Sequence, residues 1–239
     1  MQTVMVTLPA YTVGKMLGIE AGMAELQRQI QHPDASSLPG VRTIARLRRL
    51  ADLAVRIDTG GTHLCQVRAR HAHDAWACGC DVWFSVDDDN EATQSTLASM
   101  LEAVDTPEPR IVLAPYIIRG EHTRTHILVN VDLPRIVTTE RILPSGARLR
   151  PVTKGGFGLV AMNRSALGAV RDVCGHLAYI DTDGVERLAL FSPEIRDKVW
   201  LADDFSFFAR VPSHVHVEAL LTGHTLHAGE GLDLSEVER

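Results

Sequence analysis

Long apolar runs are missing from this sequence. No stretch reaches the roughly 18 residues that a membrane-spanning helix needs. The opening MQTVMVTLPAYTVG has neither a basic start nor a long apolar segment, so no signal peptide is expected. Cysteine is scarce. The four present, Cys65, Cys78, Cys80 and Cys174, include no CxxC pair and fit no zinc-module spacing. Reduced thiols and a cytoplasmic setting are therefore expected. Positive charge is not in excess either: 24 Lys and Arg against 30 Asp and Glu leave a net charge of -6. Nothing global then draws the chain to nucleic acid or to an anionic membrane. No GxGxxG follows the first strand-like run, and no GxxxxGK[ST] occurs, which argues against a nicotinamide enzyme and a P-loop.

What is present reads as an ordinary globular chain of 239 residues, 45% hydrophobic and 23% charged. With no repeat, low-complexity stretch or convincing linker, one domain over residues 1–239 is expected. Strand-like and helix-like pieces alternate. TVMVTLPAY, from Thr3 to Tyr11, reads as a strand. GKMLGIEAGMAELQRQI reads as a helix with Met16, Ile19, Met23, Leu26 and Ile30 on one face. VRTIARLRRLADLAV reads as a helix, VRIDTGGT as a strand and turn, and HLCQVRARHAHDAWACG as a helix capped by Gly79. CDVWFSV is apolar almost throughout, as in a strand buried on both faces. NEATQSTLASMLEAV reads as a helix; RIVLAPYII and THILVNVDL read as strands. The alternation predicts an α/β fold with a mostly parallel central sheet flanked by helices.

In such a sheet ligands bind beyond the carboxyl ends of the strands. Asp87, Asp88 and Asp89 stand there, at the end of DVWFSV. Three adjacent carboxylates repel one another, which points to a cation. The plain alternative is a turn that caps the next helix. Hard oxygen ligands suit Mg²⁺ or Mn²⁺, which bridge to phosphates. Alternate residues of an extended segment share a face, so Asp87 and Asp89 point together. A second acidic pair, Asp203 and Asp204, precedes FSFFARV, with a helix cap as the plain alternative.

GCDVWFSVDDDN resembles the DxD segment of glycosyltransferases of the GT-A fold. Four more pieces follow that family's order: VRARHAHDAWACGCD, KGGFGLVAMNRSAL, WLADDFSFFARV and HVHVEALLTGHTLHAG. The first has Arg68 in the place of the family's helix arginine, without its Asn; the third has Asp203 where the family has Glu. The resemblance implies a single-domain GT-A (Rossmann-like) fold, its nucleotide-sugar half at about 1–118 and its acceptor and catalytic half at about 119–239. It implies an enzyme, a metal-dependent hexosyltransferase moving a sugar from a nucleotide-diphosphate sugar, UDP-sugar first, to a hydroxyl acceptor.

Residue roles follow from the same resemblance. Asp87 reaches the ribose and the Mn²⁺ or Mg²⁺ ion, and Asp89 ligates the metal directly. Asp88 points away or holds a neighbour. His224 is the third ligand, with His227 as runner-up. Thr7, Pro9 and Tyr11 contact base and ribose. Arg68 holds the donor or the Asp triplet itself. Gly155 and Gly156 let backbone approach the sugar, and Phe157 walls the pocket. Asp204 is the base that takes the acceptor proton, oriented by Asp203. Loops from Arg119 to Leu149 shape the acceptor site. Alternatives are the same chemistry on hydroxymethylated bases of viral DNA, with Arg42, Arg46, Arg48, Arg49, Arg148 and Arg150 on phosphates; a nucleotidyltransferase; and a non-catalytic nucleotide-sugar-binding module. Inversion versus retention stays open, as does the donor sugar.

Overall fold

The computed structural model describes residues 2–9, 24, 28–29, 38–58, 63–116, 131–132, 140–227 and 230–233. In chain order the elements are β1 (Thr3–Pro9), α1 (Pro39–Leu47), β2 (Asp52–Asp58), α2 (Leu64–Ala77), β3 (Val82–Val86), β4 (Asn90–Ala92), α3 (Gln94–Val104) and β5 (Arg110–Leu113). Then come β6 (Arg141–Ile142), β7 (Arg148–Pro151), β8 (Leu159–Asn163), α4 (Arg164–Val173), β9 (Ala178–Ile180) and β10 (Glu186–Leu188). The last are β11 (Glu194–Arg196), β12 (Val199–Leu201), α5 (Asp203–Arg210), β13 (His216–Leu220), β14 (His224–His227) and β15 (Glu230–Asp233).

Eight strands form the central sheet in the order β2-β1-β3-β8-β5-β13-β7-β6. The pairings reverse only β8 and β7, so six of the eight run the same way. The sheet is mostly parallel and flanked by helices, the α/β class expected. Strand alternation divides the core in two. Val4, Val6, Leu8, Val82, Phe84 and Val86 pack on one face with Ile44 and Leu47 of α1 and Leu97 and Met100 of α3. Met5 and Trp83 pack on the other with Ala72 and Ala75 of α2, Leu167 of α4 and Phe207 of α5. Every residue of β3 is buried, as its apolar run implies.

Three boundaries differ from the sequence expectation. VRTIARLRRLADLAV splits: the helix stops at Leu47 and Asp52 opens β2, because Leu53, Val55 and Ile57 pack against the core as an edge strand. NEATQSTLASMLEAV also splits. Asn90–Ala92 is a strand paired antiparallel to β14, and the helix starts at Gln94, where the Thr93 side chain accepts from the Thr96 N–H at 3.3 Å. The Asp triplet is therefore not the cap of that helix. The strand expected over RIVLAPYII stops at Leu113, with 114–116 outside any strand. The first strand is described from Thr3 to Pro9, and Tyr11 lies outside the described residues, as does most of GKMLGIEAGMAELQRQI and of THILVNVDL. Within the latter, Val131 forms an isolated bridge to Gly155. The expectation for α2 stands, including Gly79 just past its end at φ 72.

Candidate active site

The carboxyl end of β3 runs directly into a turn. Asp87 donates its N–H to the Gly158 carbonyl at 2.8 Å, and Asn90 closes the turn onto the Asp87 carbonyl at 3.1 Å. Two glycines let this turn sit where it does. A Cβ on Gly40, at the start of α1, would lie 2.8 Å from the Asp87 carbonyl oxygen and 3.0 Å from Asp88 Cα. With hydrogen there instead, the Gly40 N–H reaches the Asp88 carbonyl at 3.1 Å. A Cβ on Gly158 would meet the Asn90 amide at 2.6 Å and the Tyr116 ring at 2.9 Å. The turn is thus pressed between α1 and the entry to β8.

Beneath it lies Arg68, one turn into α2 and only 2% exposed. Its guanidinium meets three carboxylates from two segments far apart in sequence. Nη2 donates to both oxygens of Asp87, at 3.2 and 3.1 Å. Nη1 donates to Asp203 at 2.8 Å and to Asp204. The Phe157 ring lies under the guanidinium, 5.5 Å from its carbon. Of the two roles expected for Arg68, holding the acidic residues is the one the contacts display. Burial opposes its charge, but Asp87, Asp204 and Asp203 outweigh burial and push its pKa further up.

The carboxylates respond in the opposite sense. Burial pushes Asp204 up to about 6; Arg68 and the Phe157 N–H, bonded at 3.0 Å, resist, while Asp203 and Asp87 add to the rise. Burial also raises Asp87, against Arg68 and with help from Asp89. Asp203 and Asp204 open α5, where the helix N-terminus favours negative charge. Each of the three side chains keeps about a fifth of its surface in solvent, so the cage has an open side.

The other sequence-derived residues fall in four places. Asp88 is buried at 6% and Asp89 half-buried, with Asp89 Oδ1 accepting from the Asn90 amide at 3.2 Å. Thr7 is not open to a ligand: its hydroxyl accepts from Trp83 Nε1 at 2.9 Å in the core, and Pro9 beyond it is buried. Phe157 does not wall a pocket. It is fully buried among Trp83, Phe191, Phe207 and Phe208, and what it gives the site is its N–H and the face under Arg68. Gly155 and Gly156, both buried, lead into it.

His224 is not brought to the Asp turn. It opens β14 at the far end of the ladder, its N–H donating to Thr96 Oγ1 at 3.0 Å and its carbonyl accepting from the Thr93 N–H at 3.2 Å. His227, at the other end, pairs with Asn90, next to Asp89. Of the segment from Arg119 to Leu149, residues 119–130 and 133–139 lie outside the described residues.

Among the described residues no group of three His, Cys, Asp or Glu is arranged to enclose a metal ion. The donor atoms at the turn are hard oxygens, the Asp87 and Asp89 carboxylates. Beside them the Asn90 amide oxygen is buried without a partner. This set suits a hard divalent cation that takes its remaining ligands from a diphosphate and water.

Sequence reasoning missed Tyr116 and Glu91. Tyr116 follows β5, is 9% exposed and lies against Gly158, and burial first, then Asp87 and Asp204, pushes its phenol up. Its place inside the predicted strand RIVLAPYII gave it no functional mark. Glu91 is 6% exposed in β4, with Arg42 Nε at 2.9 Å and Arg46 Nη2 at 2.6 Å, so α1 is pinned beside the turn. No local motif signals that pairing.

No family model and no curated protein matches the chain. Similar solved structures include A197 from STIV, at 13% identity over 98% of this chain and 91% of that one, TM-score 0.48. Another is TarS 1–349 of S. aureus in complex with UDP-GlcNAc, at 14% identity over 91% of this chain and 56% of that one, TM-score 0.41. A third is mannose-1-phosphate geranyltransferase from Thermus thermophilus, at 13% identity over 92% of this chain and 74% of that one, TM-score 0.40. Likenesses this distant decide neither a substrate nor a reaction.

Proposed function

We propose that this chain is a glycosyltransferase of the GT-A kind, with a nucleotide-diphosphate sugar, UDP-sugar first, as donor and a hydroxyl as acceptor. One observation carries the reading. Arg68 ties Asp87, at the end of β3, to Asp203 and Asp204, at the start of α5. A donor end and an acceptor end thus share one guanidinium, and the carboxylate at the acceptor end has been shifted towards neutrality.

The roles divide as follows. Asp87 and Asp89 hold Mn²⁺ or Mg²⁺, which when bound offsets the charge of the departing diphosphate. Asp204 takes the acceptor proton. Its pKa near 6 makes it a stronger base than an ordinary aspartate while leaving it ionised at neutral pH. Asp203 raises that pKa, while Arg68 lowers it and so favours the ionised form of Asp204. The Gly40 and Gly158 contacts fix the turn so that the carboxylates need not be ordered on binding. Because the backbone register pairs His227 with Asn90, next to Asp89, His227 replaces His224 as the first candidate for a histidine ligand. One domain, with donor half near 1–118 and acceptor half near 119–239, and a cytoplasmic setting complete the proposal. No helix among the described residues is long and apolar enough to cross a membrane.

Modified DNA is the less favoured acceptor. Of the arginines that would bind phosphate, Arg42 and Arg46 are paired with Glu91, and Arg148 and Arg150 with Glu140.

The test is a donor screen with Mn²⁺ that follows nucleotide release. Release of UDP or GDP from the matching sugar nucleotide supports the proposal. Release of pyrophosphate from a nucleoside triphosphate and a sugar phosphate replaces it with nucleotidyl transfer. Donor binding without turnover on any hydroxyl acceptor makes the chain a binding module.

A further inference from the structure

At the far end of α2 from Arg68 the chain reads Cys78-Gly79-Cys80. Gly79 takes a left-handed φ of 72, which folds the two flanking residues back towards each other. The Gly79 N–H bonds the Trp76 carbonyl at 3.2 Å, so the helix leaves the Ala75 carbonyl without its backbone donor. Both thiols turn to it. Cys78 Sγ lies 3.3 Å from the Ala75 oxygen and Cys80 Sγ 3.2 Å from it. Both sulfurs thus lie within 3.3 Å of the same oxygen. One thiol is exposed and the other is buried.

A helix cap needs one donor for one carbonyl, and a serine would supply it better, since a thiol is a weak donor. Two sulfurs gathered on one carbonyl oxygen, two residues apart across a left-handed glycine, are instead placed for the approach that a disulfide requires. We propose that Cys78 and Cys80 form a redox-active dithiol, closed to an intramolecular disulfide by exchange with a small disulfide such as oxidised glutathione.

The order of events follows from exposure. The Cys78 thiolate attacks one sulfur of oxidised glutathione, whose S–S bond breaks and expels one glutathione thiolate. Cys80 then loses its proton and attacks Cys78 Sγ, and the second glutathione leaves. Two protein thiols are oxidised and one glutathione disulfide is reduced to two thiols. Burial, with the Cys78 thiol as its neighbour, pushes the Cys80 thiol up to about 12, so the second step is the slow one. This pair is independent of the proposed transferase site.

The test incubates the reduced full chain with oxidised glutathione, then counts free thiols and maps peptides by mass. The count should fall from the sequence's four to two, with a Cys78–Cys80 link and no glutathione retained, and dithiothreitol should restore all four. Cys80→Ser should trap glutathione on Cys78, and Cys78→Ser should leave Cys80 unmodified. Far-UV circular dichroism confirms that both variants fold. A wild-type product with glutathione stably on Cys78, or with links through Cys65, Cys174 or a second chain, overturns the proposal and leaves the two thiols as a helix cap.

Discussion

At the scale of the residue, the proposed function rests on Asp204 and Arg68. Asp204→Asn keeps the shape and most of the bonding but cannot accept a proton. Turnover should fall by about 10²–10⁴ with donor affinity little changed; collapse of donor binding would move Asp204 to the donor side. Because the proposed base works ionised, wild-type turnover should rise with pH through about 6. Asp203 is one cause of that elevated value, so Asp203→Asn should move the acidic limb to lower pH, read from the pH profile of kcat/KM. The same shift makes a stability statement. A carboxylate with a raised folded-state pKa binds its proton more tightly when folded. Its contribution therefore declines as pH rises from near 4 to near 6, the reverse of an ordinary ion-paired aspartate. Arg68→Met leaves three carboxylates around an apolar side chain. Denaturant unfolding at pH 7 should show a loss of about 3–5 kcal/mol, recovered in part as the carboxylates are protonated. No loss at pH 7 would mean that the cage relaxes into water.

At the scale of the element, the turn after β3 is held by its neighbours more than by itself. Gly40→Ala sets a methyl against Leu8, the Asp87 carbonyl and Asp88 Cα, two of them backbone. α1 must then move away from the turn, at a cost of about 1–3 kcal/mol. A melting curve checks the stability, and Mn²⁺ affinity checks whether the turn moves too. The same element shows what was readable in advance. β3 and α2 were legible because apolar continuity and a C-terminal glycine are local signals. β4 was not. Asn90–Ala92 looks like the start of a helix until its partner, β14, is known to lie more than 130 residues away. The end of α1 was misread for a similar reason: alternation in Asp52–Asp58 is visible only once Leu53, Val55 and Ile57 have a core to face.

At the scale of the whole molecule, topology gathers the site. Parallel β1, β2, β3, β5 and β13 bring their carboxyl ends to one edge, and reversed β8 brings its amino end there. The Asp triplet, Asp203 and Asp204 could be picked out by residue type at the boundary of a predicted element, and Arg68 by the family resemblance. That Arg68 joins both acidic groups could not, because 135 residues separate it from Asp203. Thr7 and Phe157 differ from their expected roles for the converse reason: the resemblance implied contact with ligand, whereas the packing of Trp83 between them makes both core residues. If β14 closes over the turn when cation and nucleotide bind, His227→Ala should weaken Mn²⁺ affinity more than His224→Ala. Equal and small effects would leave the cation to the turn, the diphosphate and water.

The central claim, a nucleotide diphosphate bound through a cation at the end of β3, is tested most directly by calorimetric titration of UDP and GDP with and without Mn²⁺, on the wild-type chain and on Asp89→Ala. The account predicts binding that requires Mn²⁺ in the wild type and is lost in Asp89→Ala, with both proteins folded. Binding that is unchanged by Mn²⁺ removal or by the substitution would contradict it, as would no binding of either nucleotide under any condition.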